Sequence, residues 1–457
     1  TLCRKEDAMS KQRIQLSDHF TYSRLLRFVL PCIGTMLFTS IYGIVDGLCV
    51  SNFVGKTAFA AVNLIMPLPM LLGTIGFMLG TGGSAIVGIT LGEGDQKKAD
   101  RYFTLFLLAA LISVSVLAVL GIVFLRPIAV LLGAKGELLD YAVRYGRILM
   151  VSLPTFALQN MFQSFFVTAE KPHLGFWFTV GAGCTNMVLD VLMVGVWGWG
   201  VEGAAIATFI SQLVGGVLPV FYFIDRSNSS RLHLCKTSFY SKVLRDACIN
   251  GSSELMTNLS MSLVNILYNF QLLRLAGENG VAAYGVIMYA AFLFVAVFVG
   301  YAVGSAPIVS FHYGARNHAE VHNLYRKSLR LIAVVAVTLT LASMFIIPCV
   351  ARIFVGYDAE LLALTSRAFR LYALSFLIMG FNVYASSFFT ALGDGVTSAL
   401  ISFLRTLAFQ VIAILLLPLL LGIDGIWLAV TAAELAALAV SAAMLLTKDK
   451  VFHYRKA

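Results

Sequence analysis

Asp46 lies within "SIYGIVDGLCVSNFVG" (40–55), a stretch that otherwise favours leaving water. A carboxylate in hydrocarbon costs at least about 2.5–3.5 kcal/mol, so it needs a partner, a wet cavity or a bound positive charge. Asp190, Glu254 and Glu434 share that condition. Asp46 precedes Phe53, at the outer end of its apolar run, by as many residues as Asp190 precedes Trp197; helical rise therefore sets both roughly 10 Å below one membrane boundary. Asn186 stands one turn from Asp190 on the same helical face, and Thr208, just past Gly203 in the next run, reaches a similar level. All four side chains offer oxygen, which suits a hard monovalent cation, and a proton competes for the same carboxylates. Two carboxylates close together in low dielectric share a proton or hold a cation between them. The chemistry expected here is reversible uptake of H⁺ or Na⁺; the alternative is that both acids only satisfy hydrogen bonds between helices. No Lys or Arg lies at their depth to make them an ion pair.

A second polar stripe begins at Glu254 and continues through Asn258, Asn265 and Asn269. Polar stripes on buried membrane helices face a wet cavity or another helix, so Glu254, Asn258 and Asn265 form a candidate polar site in the C-terminal half. Arg405 and Glu434 fall on successive antiparallel runs and predict a structural ion pair. Other patterns dissolve: "VGKT" (54–57) lacks the earlier glycine of a phosphate loop, because position 50 is Val50. The seven cysteines are scattered singly, as apolar fillers rather than a disulfide framework or metal site. No resident cofactor, structural metal or catalytic constellation is expected, and the chain does not read as an enzyme.

Of the 457 residues, 59% are hydrophobic and 12% charged, whereas soluble domains carry about a quarter charged residues. Lipid must therefore be the solvent around most of the chain. The net charge of +10 does not point to nucleic acid, because Lys and Arg cluster between apolar runs, where they set membrane topology. Twelve runs reach spanning length, near 27–51, 58–82, 103–125, 144–168, 174–196, 204–224, 247–273, 281–309, 329–350, 367–391, 397–420 and 425–447. The loops on the side of the termini hold roughly 23 Lys and Arg against roughly nine on the other, which predicts both termini in the cytoplasm. The polar first residues show no cleavable signal peptide.

Internal repetition organises these runs. A shift of about 222 positions lays "GKTAFAAVNLIM" (55–66) on "GENGVAAYGVIM" (277–288) and "GVEGAAIA" (200–207) on "GIDGIWLA" (422–429) without gaps. Six runs per half is an even number, so both halves enter from the same side and are related by a pseudo-two-fold along the membrane normal. The expected fold is an all-α membrane protein of twelve transmembrane helices in two six-helix lobes, 1–224 and 247–457, joined by a cytoplasmic linker, 225–246.

The "IYGIVDGLCVSNFVG" opening, the "GTGGSAIVGITLGEGDQKKAD" exit from the second run and its echo "VGSAPIVSFHYGARNHAEV" resemble the multidrug and toxic compound extrusion (MATE) family, in its MepA-like branch. The resemblance covers residues 23–447. It implies a multi-pass protein of the cell (cytoplasmic) membrane that exports cationic or amphipathic small molecules in exchange for H⁺ or Na⁺, as a monomer in the lipid bilayer. The family's N-lobe cation site maps onto Asp46, Asn186, Asp190 and Thr208, with Asn160 on the fourth run as a further member. Its helix-bending proline matches Pro31, and Glu254 resembles the acid that other branches use on the seventh run. The tenth run departs from those branches, with no carboxylate between Phe369 and Thr390. The alternative within the same superfamily is a flippase for a lipid-linked substrate, which predicts a basic central cavity; Arg405 is the one basic residue well inside a run.

Overall fold

A computed structural model describes residues 14–54, 56–356 and 358–455. The spans are all helical, and there is no strand among the described residues. The first span is Tyr22–Phe53, the second Lys56–Ile65 with Pro67–Gly92, the third Gln96–Leu131 and the fourth Glu137–Thr168. The fifth runs through Pro172–Asp190 into Val191–Val196, and the sixth through Gly200–Gln212 and Leu213–Val217 into Leu218–Ile224. The seventh and eighth form one element, Ser252–Gly314, broken at Gly277, whose φ of 60° is outside the helical range. Then come His318–Val355, Ala359–Ala373 with Phe376–Ala391, Gly395–Phe403 through Leu404–Ala408 to Phe409–Leu421, and Ile423–Thr447.

Nine of the described helices are long and apolar enough to cross a membrane, or ten counting the pair bent by 46° in the tenth span. The break at Gly277 divides one of these into two. The fourth span is 32 residues long, about 48 Å, and is more polar than the others, with Glu137, Asp140, Arg144 and Arg147 in its first half and Gln159, Asn160 and Gln163 in its second. The sequence-based count of twelve thus holds, although several helices, Pro67–Gly92 and His318–Val355 among them, run a turn or more past their expected ends. Asp95 and Asn317 start the third and ninth spans as N-caps, each side chain accepting a backbone N–H in the first turn. They occupy equivalent positions in the two repeats.

The halves meet at the end of the bundle that carries both termini, through glycines. A Cβ on Gly92 would collide with the carbonyl oxygen of Phe311, and one on Gly314 with that of Ile89. These contacts are reciprocal under the repeat shift, as a two-fold requires. Gly88 faces Ser310, its own equivalent, so the axis passes between them. Gly251 abuts the Met78 carbonyl and Gly300 the backbone of Ile33. At the same end, residues 14–20 bridge the halves. Glu170 accepts from the Leu16 N–H at 2.9 Å, while Glu320 pairs with His19 at 2.6 Å and accepts from the Phe20 N–H at 2.9 Å. The linker crosses the third span, with the His233 N–H on Asp100 and the Cys235 N–H on the Thr104 hydroxyl. The described cysteines, Cys32, Cys184, Cys235, Cys248 and Cys349, are free.

Candidate functional site

The first and fifth spans pack side by side because Gly183 leaves room for the rings of Phe38 and Tyr42. From that contact the helices, which run parallel, carry Asp46 one turn beyond Tyr42, and carry Asn186 and then Asp190 beyond Gly183. The Asp46 and Asp190 carboxyls come within hydrogen-bonding reach of each other. Asp190 is 0% exposed and Asn186 is 2% exposed. No donor among the described residues reaches either oxygen of Asp190 or Oδ1 of Asp46, and the Nδ2 of Asn186 is likewise unpartnered. Two ionised carboxylates have no hydrogen between them. A bond across this pair requires a proton on one of them, and a small cation is the other way to hold both.

Asp190 is the last residue before the helix widens into a π-helical turn, Val191–Val196. Such turns leave a backbone carbonyl outside the regular ladder and recur at functional sites. The ring of Tyr145, fully buried, lies within electrostatic range of both acids. The sequence analysis did not single out Tyr145. Its signal was faint, a tyrosine near the polar start of the fourth span, where aromatic residues commonly mark the membrane boundary.

The remaining candidates are distributed. Thr208 donates to the Ala204 carbonyl at 3.0 Å within its own helix. It lines a cavity of about 60 Å³ with Met66, Phe156 and Gln212. Asn160, on the fourth span, is buried, and its Nδ2 has no partner among the described residues. Pro31 lies inside the first span, where its ring leaves the Arg27 carbonyl without a helical donor.

In the C-terminal half, Glu254 lines a cavity of about 110 Å³ with hydroxyls from both halves, Ser84, Ser164, Thr257 and Ser402 among them, and with Arg405. Asn258 turns back to the Glu254 carbonyl at 2.9 Å, and Asn265 accepts from the Tyr284 hydroxyl at 2.6 Å. Glu254, Asn258 and Asn265 therefore share a helix without converging. The predicted Arg405–Glu434 pair is present at 3.4 Å, with Glu434 1% exposed. Asn382 donates to the second Glu434 oxygen at 2.7 Å. No His, Cys, Asp and Glu group suited to a metal ion occurs among the described residues.

The MatE family model matches the chain twice, over residues 31–192 and 255–416. A multidrug export protein MepA of Staphylococcus saprophyticus is 21% identical over 434 residues, covering 94% of this chain and 95% of the relative. The MepA of Staphylococcus aureus strain MSSA476 is 22% identical with the same coverage. Among solved structures, a multidrug resistance MATE family transporter of the MOP superfamily in an outward-facing conformation superposes with a TM-score of 0.88 at 23% identity, over 95% of this chain and 96% of that one. A MOP superfamily transporter from Pyrococcus furiosus gives 0.86 at 23% identity, with the same coverage. One family model repeated across two six-span halves, which meet on a shared axis, means that this chain belongs to the MatE family of membrane transporters.

Proposed function

We propose that this protein is a secondary active efflux antiporter, exporting cationic or amphipathic small molecules in exchange for H⁺ or Na⁺. The observation that carries this is the Asp46–Asp190 carboxyl pair, buried without a basic partner among the described residues. The names of the MepA relatives support multidrug export. The protein works as a monomer in the cytoplasmic membrane with both termini inside, so the terminus-bearing end faces the cytoplasm. A cation entering from outside neutralises the acid pair and favours one arrangement of the lobes, and substrate favours the other. Coupling is this difference in affinity between the two states. Each charge moved down 100 mV supplies about 2.3 kcal/mol to the cycle.

Asp46→Asn and Asp190→Asn are expected to abolish resistance in a drug-hypersensitive host, at membrane expression equal to wild type. Unchanged resistance from either variant contradicts the proposal. Substrate counterflow in proteoliposomes, with pH and Na⁺ gradients imposed separately, then assigns the ion. The flippase alternative calls for a basic central cavity, and Arg405 is instead engaged by Glu434.

A further inference from the structure

A groove of about 860 Å³ opens between the first and fifth spans near the terminus-bearing end. Its apolar floor includes Leu30, Pro31 and Phe176, and its rim carries Arg27, Lys171 and His173. Leu30 is 56% exposed, and Trp177, in edge contact with Phe176, is 63% exposed. The mouth therefore opens sideways, toward the surface that faces lipid. The one acid on its wall, Glu170, is already committed, pairing with Arg231 at 2.5 Å and accepting the Leu16 N–H at 2.9 Å. On the rim, the Lys171 ammonium donates to the Ser229 hydroxyl at 2.9 Å, and Arg27 is exposed.

A soluble anion has no use for the long apolar floor, and a purely apolar solute has none for the cationic end. An amphiphile with an anionic head matches both. We propose that an anionic phospholipid, from the leaflet on the side of the termini, occupies this groove. Its phosphate lies toward Arg27 and Lys171, and one acyl chain runs along Leu30 and Phe176. The lipid then rests against Pro31, where the first span lacks a helical hydrogen bond, and against Gly34, where a Cβ would press on the ring of Phe176. The site is separate from the acid pair, and its occupancy does not depend on which compound or ion is transported.

The test uses the full-length protein in vesicles of phosphatidylcholine containing a photoactivatable phosphatidylglycerol, with the labelled peptides mapped by mass spectrometry. Labelling is expected on residues 27–34 and 172–177, reduced by added phosphatidylglycerol but not by more phosphatidylcholine. Arg27→Gln and Lys171→Gln should each weaken it about fivefold, the usual contribution of one basic side chain near an anionic surface. Leu30→Ala, which keeps the charge, serves as a second probe and should also reduce labelling; thermal unfolding of each variant in detergent verifies that it is folded. Labelling spread over other spans, equal competition by phosphatidylcholine, or labelling unaffected by the basic substitutions overturns the proposal. So does labelling that appears only after residues 1–13 are deleted, because the chain's own N-terminus would then be the occupant.

Discussion

Asp46 and Glu434 answer the same problem, a carboxylate in an apolar bundle, in opposite ways. Glu434 is neutralised within the protein, by Arg405 and Asn382. Asp46 faces another acid. The first arrangement is fixed; the second needs a charge from outside, which is what a coupling site requires. Glu434→Ala should therefore act on stability. It takes the ion-pair partner from Arg405, which is 14% exposed and shares a cavity with Glu254, at a cost of about 1–3 kcal/mol, visible as a lower unfolding temperature in detergent. Replacing both, as Arg405→Met with Glu434→Leu, should recover most of that loss. If Glu434→Ala unfolds at the wild-type temperature, the pair is not structural. Types and spacing in the sequence sufficed to single out both acids of the N-terminal site and the Arg405–Glu434 pair. Tyr145 and the true surroundings of Thr208 and Asn160 were not legible, because helical spacing gives depth along one span and not the rotation that decides which neighbour a side chain meets.

Element positions were the most readable level, since a lipid-spanning helix needs a long apolar run and the repeat doubles the signal. The breaks inside spans were not readable. Among the described residues, the π-helical turns Val191–Val196 and Leu404–Ala408 have no proline in or just after them, whereas Leu213–Val217 holds Gly215 and Gly216 and is followed by Pro219, which removes the helical donor to the Gly215 carbonyl. The repeat also exposes an asymmetry. Asn382 and Glu434, bonded in the C-terminal half, correspond to Asn160 and Gln212, whose Nδ2 and Oε1 have no partner among the described residues. At the seam between the halves, backbone approaches backbone. Gly92→Ala would press its methyl group into the Phe311 carbonyl and should force the closed end open. In a variant retaining only Cys32, which is buried at this seam beside Gly304, labelling by a membrane-impermeant maleimide from the terminus-bearing side should rise about tenfold or more, an overpacking cost of 1–3 kcal/mol being typical. Wild-type labelling would mean that the seam can yield without opening.

For the molecule as a whole, closure at that end depends on more than the glycine seam. His19 and Phe20 enter the first span, in one lobe, while bonded to Glu320, Asn323 and Lys327 at the start of the ninth, in the other. Glu320 is 6% exposed and accepts from the Phe20 and Asn323 donors as well as pairing with His19. Glu320→Ala leaves buried donors unsatisfied in the closed form and costs about 1–3 kcal/mol per orphaned group. The same Cys32 labelling should therefore increase, here without any change in the glycine contacts. Labelling at the wild-type rate would show that the strap follows closure rather than supporting it. No repeat pattern pointed to this strap, because under the repeat shift residues 14–20 fall on linker residues 236–242, where the two sequences do not match.

The reciprocal contact of Gly92 with Phe311 and Gly314 with Ile89 has an implication for descent. A joint in which each side offers the other the same two surfaces asks for nothing that a single six-helix unit does not already own. An ancestor encoding one such unit could have assembled as a symmetric dimer, and duplication with fusion would then have freed the copies to diverge, one keeping its facing acids and the other acquiring an internal counter-ion.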